Sequence, residues 1–216
     1  MAELLVIRHG QASFGQADYD VLSDLGHAQS RAVGALLRDM GWMPDRLVTG
    51  TLKRQRDTLA AMGFGDAPEI HAGFDEYDFA DLLRARFGGA VPGSVKEDRK
   101  AHFRVLRETV LAWQDDAFDG ASETWEAFAD RVEAARRFAT DTDARRVLVI
   151  SSGGVIGQMT ARALGAPTRQ MMHLNLQIRN TALTRFVFSG DRFSLHEFNA
   201  APHFMSRAGA ELSSYS

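Results

Sequence analysis

The sequence predicts an α/β fold, a three-layer sandwich in which helices cover both faces of a mostly parallel sheet. Two observations support this prediction. Short, continuous apolar runs at 4–7 and 147–150 are typical of strands that are buried on both faces. After the first run, helical and strand-like patterns alternate, and a βαβα order of this kind is typical of an α/β sandwich.

The alternation is clearest in the first third of the chain. Ser23 precedes apolar positions that recur every three or four residues up to Gly41, which predicts a helix with both its start and its stop signal. Residues 46–49 predict a second strand. Residues 51–62, followed by Gly63, predict a second helix.

The alternation breaks between 79 and 142, where the apolar spacing is helical. We therefore expect a helical insert that caps the site, and the glycine-rich segment 88–93 is the candidate for its flexible lead-in. The two apolar stripes of this insert comprise Val95, Phe103, Leu106, Val110 and Trp113, and then Trp125, Phe128, Val132, Ala135 and Phe138.

The last part of the chain returns to strand patterns. Residues 182–188 and 193–198 flank the turn 189–191, which predicts a closing β-hairpin. The elements together predict a single domain at 1–205. The segment 206–216 is small, polar and aperiodic, so we expect a flexible tail unless a partner or a neighbouring element holds it.

The composition excludes several classes of protein. The 216 residues carry 25 basic side chains scattered among 28 acidic ones, for a net charge of −3, which disfavours nucleic acid as a partner. The chain has no cysteine, so disulfides, cysteine nucleophiles and cysteine-based metal sites are excluded. Its seven histidines lack the helical spacing of a metal site, and we expect no metal and no cofactor.

Membrane association is not expected either. No apolar stretch approaches the roughly eighteen residues that would cross a bilayer. Arg8 ends the first apolar run after four residues, which is unlike a signal peptide. The sequence therefore predicts a cytoplasmic protein that has no membrane partner.

Ligands of open parallel sheets bind beyond the carboxyl ends of the strands, so the residues just after the strands are the candidates for chemistry. Arg8 and His9 directly follow the first strand. A neutral imidazole is a competent nucleophile toward phosphorus, and an adjacent guanidinium can neutralise phosphoryl oxygens. A polar strand end in solvent is the alternative interpretation.

Two charged clusters follow other predicted elements. Lys53, Arg54 and Arg56 open the second helix, where one or two of them could add bidentate phosphate recognition while the rest form an exposed basic turn. Four carboxyl groups follow Phe74, and one of them could be a proton donor with a raised pKa. The alternative is a solvated loop that comprises Asp75, Glu76, Asp78 and Asp81.

A third candidate lies at 151–154, where a strand meets a helix. Free amide groups after Ser152, among them that of Gly153, could bind an anion. The segment lacks the Lys of a P-loop and the GxS order of a hydrolase elbow, so Ser152 is not favoured as a nucleophile. His203, near the end of the last strand, could turn toward the site.

Several ordered segments together resemble the histidine phosphatase superfamily, the phosphoglycerate mutase-like proteins. The resemblance implies that His9 is the nucleophile, that Arg8 and Arg54 bind the phosphoryl group with the amides after Ser152, and that Glu76 is the proton donor. Both arginines should lower the pKa of His9. The segments are LLVIRHGQASFG, LSDLGHAQSRAVG, LVTGTLKRQRDTL, FDEYDFADL, VLVISSGGVIGQM and LNLQIRNTALTRF.

The sequence departs from the family pattern at two positions. Ser152 stands where the family usually has a second histidine, which removes a donor and a positive charge; Phe14 stands near a position that is polar in many members. The resemblance implies a metal-independent phosphomonoesterase that acts on a small phosphorylated molecule through a phosphohistidine. Phosphoglycerate mutase-type transfer and a catalytically weakened phosphate-binding or regulatory protein are the alternatives, and a homodimer is left open.

Overall fold

The structure of the protein is a computed structural model, which describes residues 1–13, 20–65, 67–90, 99–205 and 207–215. The described residues form one six-stranded sheet in the order β3-β2-β4-β1-β5-β6. Strands β1 to β4 are parallel, and β5 and β6 run antiparallel to their neighbours. The strands are β1 (Ala2–Arg8), β2 (Arg46–Thr49), β3 (Glu69–Ile70), β4 (Arg146–Ser151), β5 (Leu183–Ser189) and β6 (Arg192–Ala200).

Helices pack on both faces of this sheet, which confirms the predicted α/β sandwich. Two short 3-10 helices, Ala72–Phe74 and Pro202–Phe204, connect longer elements. The α-helices are α1 (Asp24–Asp39), α2 (Lys53–Met62), α3 (Phe79–Phe87), α4 (Arg99–Gln114), α5 (Trp125–Thr140), α6 (Gly153–Ala163), α7 (Gln170–Asn175) and α8 (Arg207–Ala210).

The continuous apolar run of β1 is explained by its two buried faces. Leu4 and Val6 point into a core formed with α5, α6 and α7. Leu5 and Ile7 point into a second core formed with α1 and α2. Because successive side chains of a strand alternate between faces, a strand covered on both sides must be apolar throughout.

The helix boundaries follow the capping signals of the sequence. The Ser23 side chain accepts a hydrogen bond from the backbone N–H of Gly26 and starts α1 as predicted. Helix α2 begins at Lys53, two residues later than predicted. Thr51 is bound instead to the Asp75 carboxylate through its backbone N–H and its hydroxyl, at 2.6 Å each, and is not part of the helix.

The three helices that the structure describes between 79 and 142 occupy different places. Helix α5 packs on the sheet through Phe128, Val132 and Ala135, so it belongs to one outer layer of the sandwich. Helices α3 and α4 lie at the carboxyl edge of the sheet, where they line the candidate site. The stripe residue Val95 and half of the predicted lead-in at 88–93 fall outside the described residues; the predicted division into domain and insert stays a prediction.

The tail is attached to the body of the protein. Gln29 of α1 donates to the Leu212 carbonyl oxygen at 2.6 Å and to the Ser214 hydroxyl at 2.8 Å. The backbone N–H of Asn180 donates to the Ser214 carbonyl oxygen at 3.1 Å. Neighbouring elements thus hold the described part of the tail, and its flexibility stays a prediction.

Within the described residues, no helix combines the length and the apolar character that crossing a membrane requires.

Candidate active site

A pocket of about 550 Å³ opens at the carboxyl edge of the sheet. Four of the predicted site residues line it: Arg8 is the last residue of β1 and His9 follows it, Arg54 lies in the first turn of α2, and Glu76 follows the 3-10 helix at 72–74. They meet because β1, β2 and β4 are parallel neighbours, so the segments that follow them emerge on the same side.

The hydrogen bonds of His9 fix its tautomer. The Nε atom of Arg54 lies 3.1 Å from Nε2 of His9, and a guanidinium can only donate, so Nε2 is the acceptor. Nδ1 lies 2.8 Å from the Gly10 carbonyl oxygen and therefore carries the proton. The ring thus has a lone pair on Nε2, which a nucleophile requires.

His9 is held neutral by its surroundings. Burial is the largest influence and lowers its pKa well below the usual 6.5; Arg54 and then Arg8 lower the pKa further, and the hydrogen bond to Gly10 opposes them. Both arginines therefore act in the direction expected from the sequence. Desolvation, which is larger, depends on the tertiary packing.

The two guanidiniums are held in fixed positions. Arg8 donates through Nη1 to the Ile178 carbonyl oxygen at 2.5 Å. Arg54 donates through Nη1 to the Asp20 carboxylate at 2.8 Å while its Nε faces His9. Lys53 and Arg56 are exposed, so Arg54 is the one residue of the basic turn that is buried in the site.

Glu76 is the member of the acidic cluster that reaches the reactive centre. Its Oε2 accepts a hydrogen bond from the Gly154 backbone N–H at 2.9 Å. Burial raises its pKa above the usual 4.5, although the Gly154 hydrogen bond, Arg54 and Arg8 act in the opposite direction. A carboxyl group with a raised pKa can keep a proton to donate.

The other three carboxylates of this cluster bind backbone amides. Asp75 accepts from Thr51, Asp78 from the backbone N–H of Asp81 at the start of α3, and Asp81 from the Ser122 N–H at 2.7 Å. For these three residues a structural role, rather than proton donation, fits the observed contacts. Asp78 also lines the pocket.

Ser152 and Gly153 are not among the described residues that line the pocket. Ser152 is completely buried, and its hydroxyl accepts a hydrogen bond from Gln55 Nε2 at 2.9 Å. Gly153 packs so closely against Asn175 Oδ1 that a Cβ atom would overlap it. The anion contact predicted for these two residues stays a prediction.

Sequence reasoning missed three polar residues around the site. Asn175 lines the pocket and donates to the Tyr77 hydroxyl at 3.1 Å. Asn180 Nδ2 donates to the His9 carbonyl oxygen at 3.2 Å, and Gln55 binds Ser152. An isolated amide residue carries no periodic or motif signal; the one hint was that both asparagines fall in the segment LNLQIRNTALTRF.

His203 does not turn toward the pocket. Its Nε2 lies 3.0 Å from the Thr181 hydroxyl, and its ring packs against that of Phe204. Burial, followed by Arg179, lowers its pKa to about 4. Among the described residues, no three His, Asp or Glu side chains come together as a metal site would need.

The chain is similar to known proteins in sequence. Over residues 4–201 the chain matches the model of the histidine phosphatase superfamily (branch 1). It is 27% identical over 186 residues to the glucosyl-3-phosphoglycerate phosphatase of Mycolicibacterium vanbaalenii, which covers 76% of this chain and 75% of that protein.

Solved structures share the fold. A phosphoserine phosphatase mutant of Entamoeba histolytica in complex with phosphoserine has a TM-score of 0.67 at 18% identity, covering 94% of this chain and 99% of its own. A putative alpha-ribazole-5'-P phosphatase of Escherichia coli has a TM-score of 0.68 at 21% identity, covering 93% and 98%. From the family match and the shared fold, the chain belongs to the histidine phosphatase superfamily (branch 1).

Proposed function

We propose that the protein is a phosphomonoesterase that transfers a phosphoryl group from a small phosphorylated molecule to Nε2 of His9 and then to water, without a metal ion. One observation carries the proposal: a neutral imidazole presents its lone pair between two fixed guanidiniums. Family membership supports it, as do the phosphatase names of the relatives.

In the first step, the Arg54 Nε–H leaves Nε2 of His9 for a phosphoryl oxygen, and the freed lone pair of Nε2 attacks phosphorus while the bond to the leaving oxygen breaks. Arg8 and Arg54 compensate the negative charge of the phosphoryl oxygens, the part that a divalent cation plays in other phosphoryl-transfer sites. Glu76 donates its proton to the leaving oxygen, so that a neutral alcohol departs. The Gly10 carbonyl oxygen accepts a hydrogen bond from Nδ1–H, and this bond stabilises the positively charged ring of the phosphohistidine.

In the second step, water attacks the phosphohistidine. The Glu76 carboxylate, now deprotonated, accepts the proton of the attacking water, and the P–N bond breaks. His9 returns to its neutral form and phosphate leaves. Glu76 is positioned for both transfers because the Gly154 amide holds one of its oxygens.

In the family resemblance, Ser152 stands where the family usually has a second histidine. The proposed site therefore lacks that histidine. Removal of one preorganised donor of this kind lowers kcat by about 10²- to 10³-fold in other enzymes. We therefore expect turnover to be slow for this reaction class.

The test compares wild-type protein with His9→Ala on a panel of phosphomonoesters in the presence of a chelator. His196→Ala is the matched control, because His196 is exposed on β6. We expect release of phosphate by the wild type and the control, an acid-labile phosphoryl group on His9 after quenching, and neither in His9→Ala. Equal activity of His9→Ala and wild type would overturn the proposal.

A further inference from the structure

The outer part of the pocket differs in character from the part around His9. Apolar side chains form its wall, and they come from the start of α2, from α3, from α4, from the end of α7 and from the tail. We define this apolar wall as Leu52, Phe79, Phe103, Leu106, Leu176 and Tyr215.

The charges of the pocket are unevenly distributed. Among the described residues that line it, the arginines are Arg8 and Arg54, both close enough to His9 to lower its pKa, and there is no lysine. The carboxyl groups of the lining are those of Glu76 and Asp78. A second anionic group on the substrate would therefore lose water without gaining a described arginine or lysine partner, and it would face Asp78.

The wall also offers aromatic surfaces to a ligand. His102, which lies between Phe79 and Phe103, makes edge-to-face contacts with both, at ring-centroid distances of 5.5 and 5.6 Å. Phe79, Phe103 and Leu106 are half-buried, so part of each remains accessible from the pocket. An aromatic or branched apolar group of a ligand would bury this surface, whereas a polar chain would leave it exposed to water.

From this juxtaposition we propose that the pocket selects phosphomonoesters of apolar or aromatic alcohols that carry no second anionic group. The inference rests on the proposed function, since it places the phosphoryl group between Arg8 and Arg54. It differs from what the names of two relatives state, because glycerate and serine each carry a carboxylate.

The kinetic test compares 2-phenylethyl phosphate with 3-phosphoglycerate. Both are monoesters of primary alcohols, so their leaving groups have similar reactivity. We expect kcat/KM to favour 2-phenylethyl phosphate by at least about tenfold, the discrimination that an apolar pocket achieves for modest differences in substrate. An equal kcat/KM or a preference for 3-phosphoglycerate would overturn the inference and leave the proposed function intact.

Two variants tie the preference to the wall. Phe103→Ser should lower kcat/KM for 2-phenylethyl phosphate about tenfold with little effect on 3-phosphoglycerate. Leu106→Lys should raise kcat/KM for 3-phosphoglycerate by about tenfold, because it supplies the missing cation. Val105→Ser, on the same helix but outside the pocket lining, is the matched control and should leave both values unchanged. Parallel losses for both substrates in Phe103→Ser would contradict the assignment.

A binding measurement separates this inference from the proposed function. Calorimetry measures binding affinity without turnover. The two ligands are phosphonates that cannot be hydrolysed, (2-phenylethyl)phosphonate and (2-carboxyethyl)phosphonate. We expect the phenyl compound to bind at least about tenfold more tightly. A protein that hydrolyses nothing yet shows this difference would refute the proposed function alone; equal or reversed affinities would refute the substrate preference.

Discussion

The guanidinium of Arg54 donates through Nε to Nε2 of His9 at 3.1 Å, so the atom proposed as the nucleophile is held by the side chain proposed to bind the phosphoryl group. The same guanidinium is bound on its far side by Asp20. Arg54 thereby connects the Asp20 carboxylate with the imidazole ring of His9. Its planar, multi-donor shape is what makes both contacts possible at once.

Replacement of Arg54 by lysine should therefore be damaging although the charge is kept. A lysine has one nitrogen and cannot hold Asp20 and address His9 in fixed directions. We expect kcat to fall by about 10²- to 10³-fold. Steady-state kinetics measure this, with Arg56→Lys as the control because Arg56 is exposed on the same helix. Near-wild-type turnover by Arg54→Lys would show that a positive charge alone suffices.

Glu76→Gln should affect substrates according to their leaving groups. A glutamine cannot donate a proton to the departing oxygen, so the rate of phosphoryl transfer from an alkyl phosphate to His9 should fall about 10²- to 10⁴-fold. An aryl phosphate such as p-nitrophenyl phosphate departs without protonation and should lose much less. Single-turnover rates for both substrates test this, and equal losses would exclude Glu76 as the proton donor.

The pH dependence of kcat/KM should have limbs from both groups. Activity needs neutral His9, whose lowered pKa places the loss on acidification below pH 6.5. It also needs protonated Glu76, whose raised pKa places the loss on alkalinisation above pH 4.5. With an alkyl phosphate, Glu76→Gln should abolish the alkaline limb that belongs to the enzyme and keep the acidic one. An unchanged alkaline limb would assign it to the substrate or to another group.

Ser152→His tests whether the site is a weakened form of the family pattern. The new imidazole would add a donor next to Arg8, and we expect kcat to rise at least about tenfold. Ser152→Asn is the control, because it adds bulk without a titratable ring. Both variants must displace Gln55, so thermal unfolding should be recorded alongside the kinetics. A folded Ser152→His protein that is no faster than wild type, and that forms no phosphohistidine, would favour a binding role.

Gly34→Ala should destabilise the protein although alanine favours helices. A Cβ at this position of α1 would lie 2.8 Å from the Met62 Cα of α2, so the two helices would have to separate. We expect a loss of about 1–3 kcal/mol in the free energy of unfolding. Ala35→Gly, at the exposed neighbouring position, measures helix propensity alone and should cost about 1 kcal/mol. Stabilisation by Gly34→Ala would mean that the helices can move apart freely.

The predictable part of the site was the part determined by local order along the chain. Arg8 and His9 follow an apolar strand, and in a parallel sheet that position is where ligands bind. The family resemblance selects Arg54 over Lys53 and Arg56. In the structure Arg54 is buried, whereas Lys53 and Arg56 are exposed.

Contacts between distant segments could not be predicted. Gln55 meets Ser152 across 97 positions, and Gln29 meets the tail across more than 180. Such pairs depend on how helices pack on the sheet, and nothing in the composition or periodicity near either partner indicates the other. The burial that lowers the pKa of His9 has the same origin.

Asn180 joins two ends of the chain. Its side chain donates to the carbonyl oxygen of His9, 171 positions earlier, and its Oδ1 and backbone N–H bind Ser214. During synthesis the proposed nucleophile therefore emerges long before the amide that holds its backbone. A nascent chain that ends before Asn180 lacks this hydrogen bond, so the arrangement around His9 is completed only after the late segment has been made.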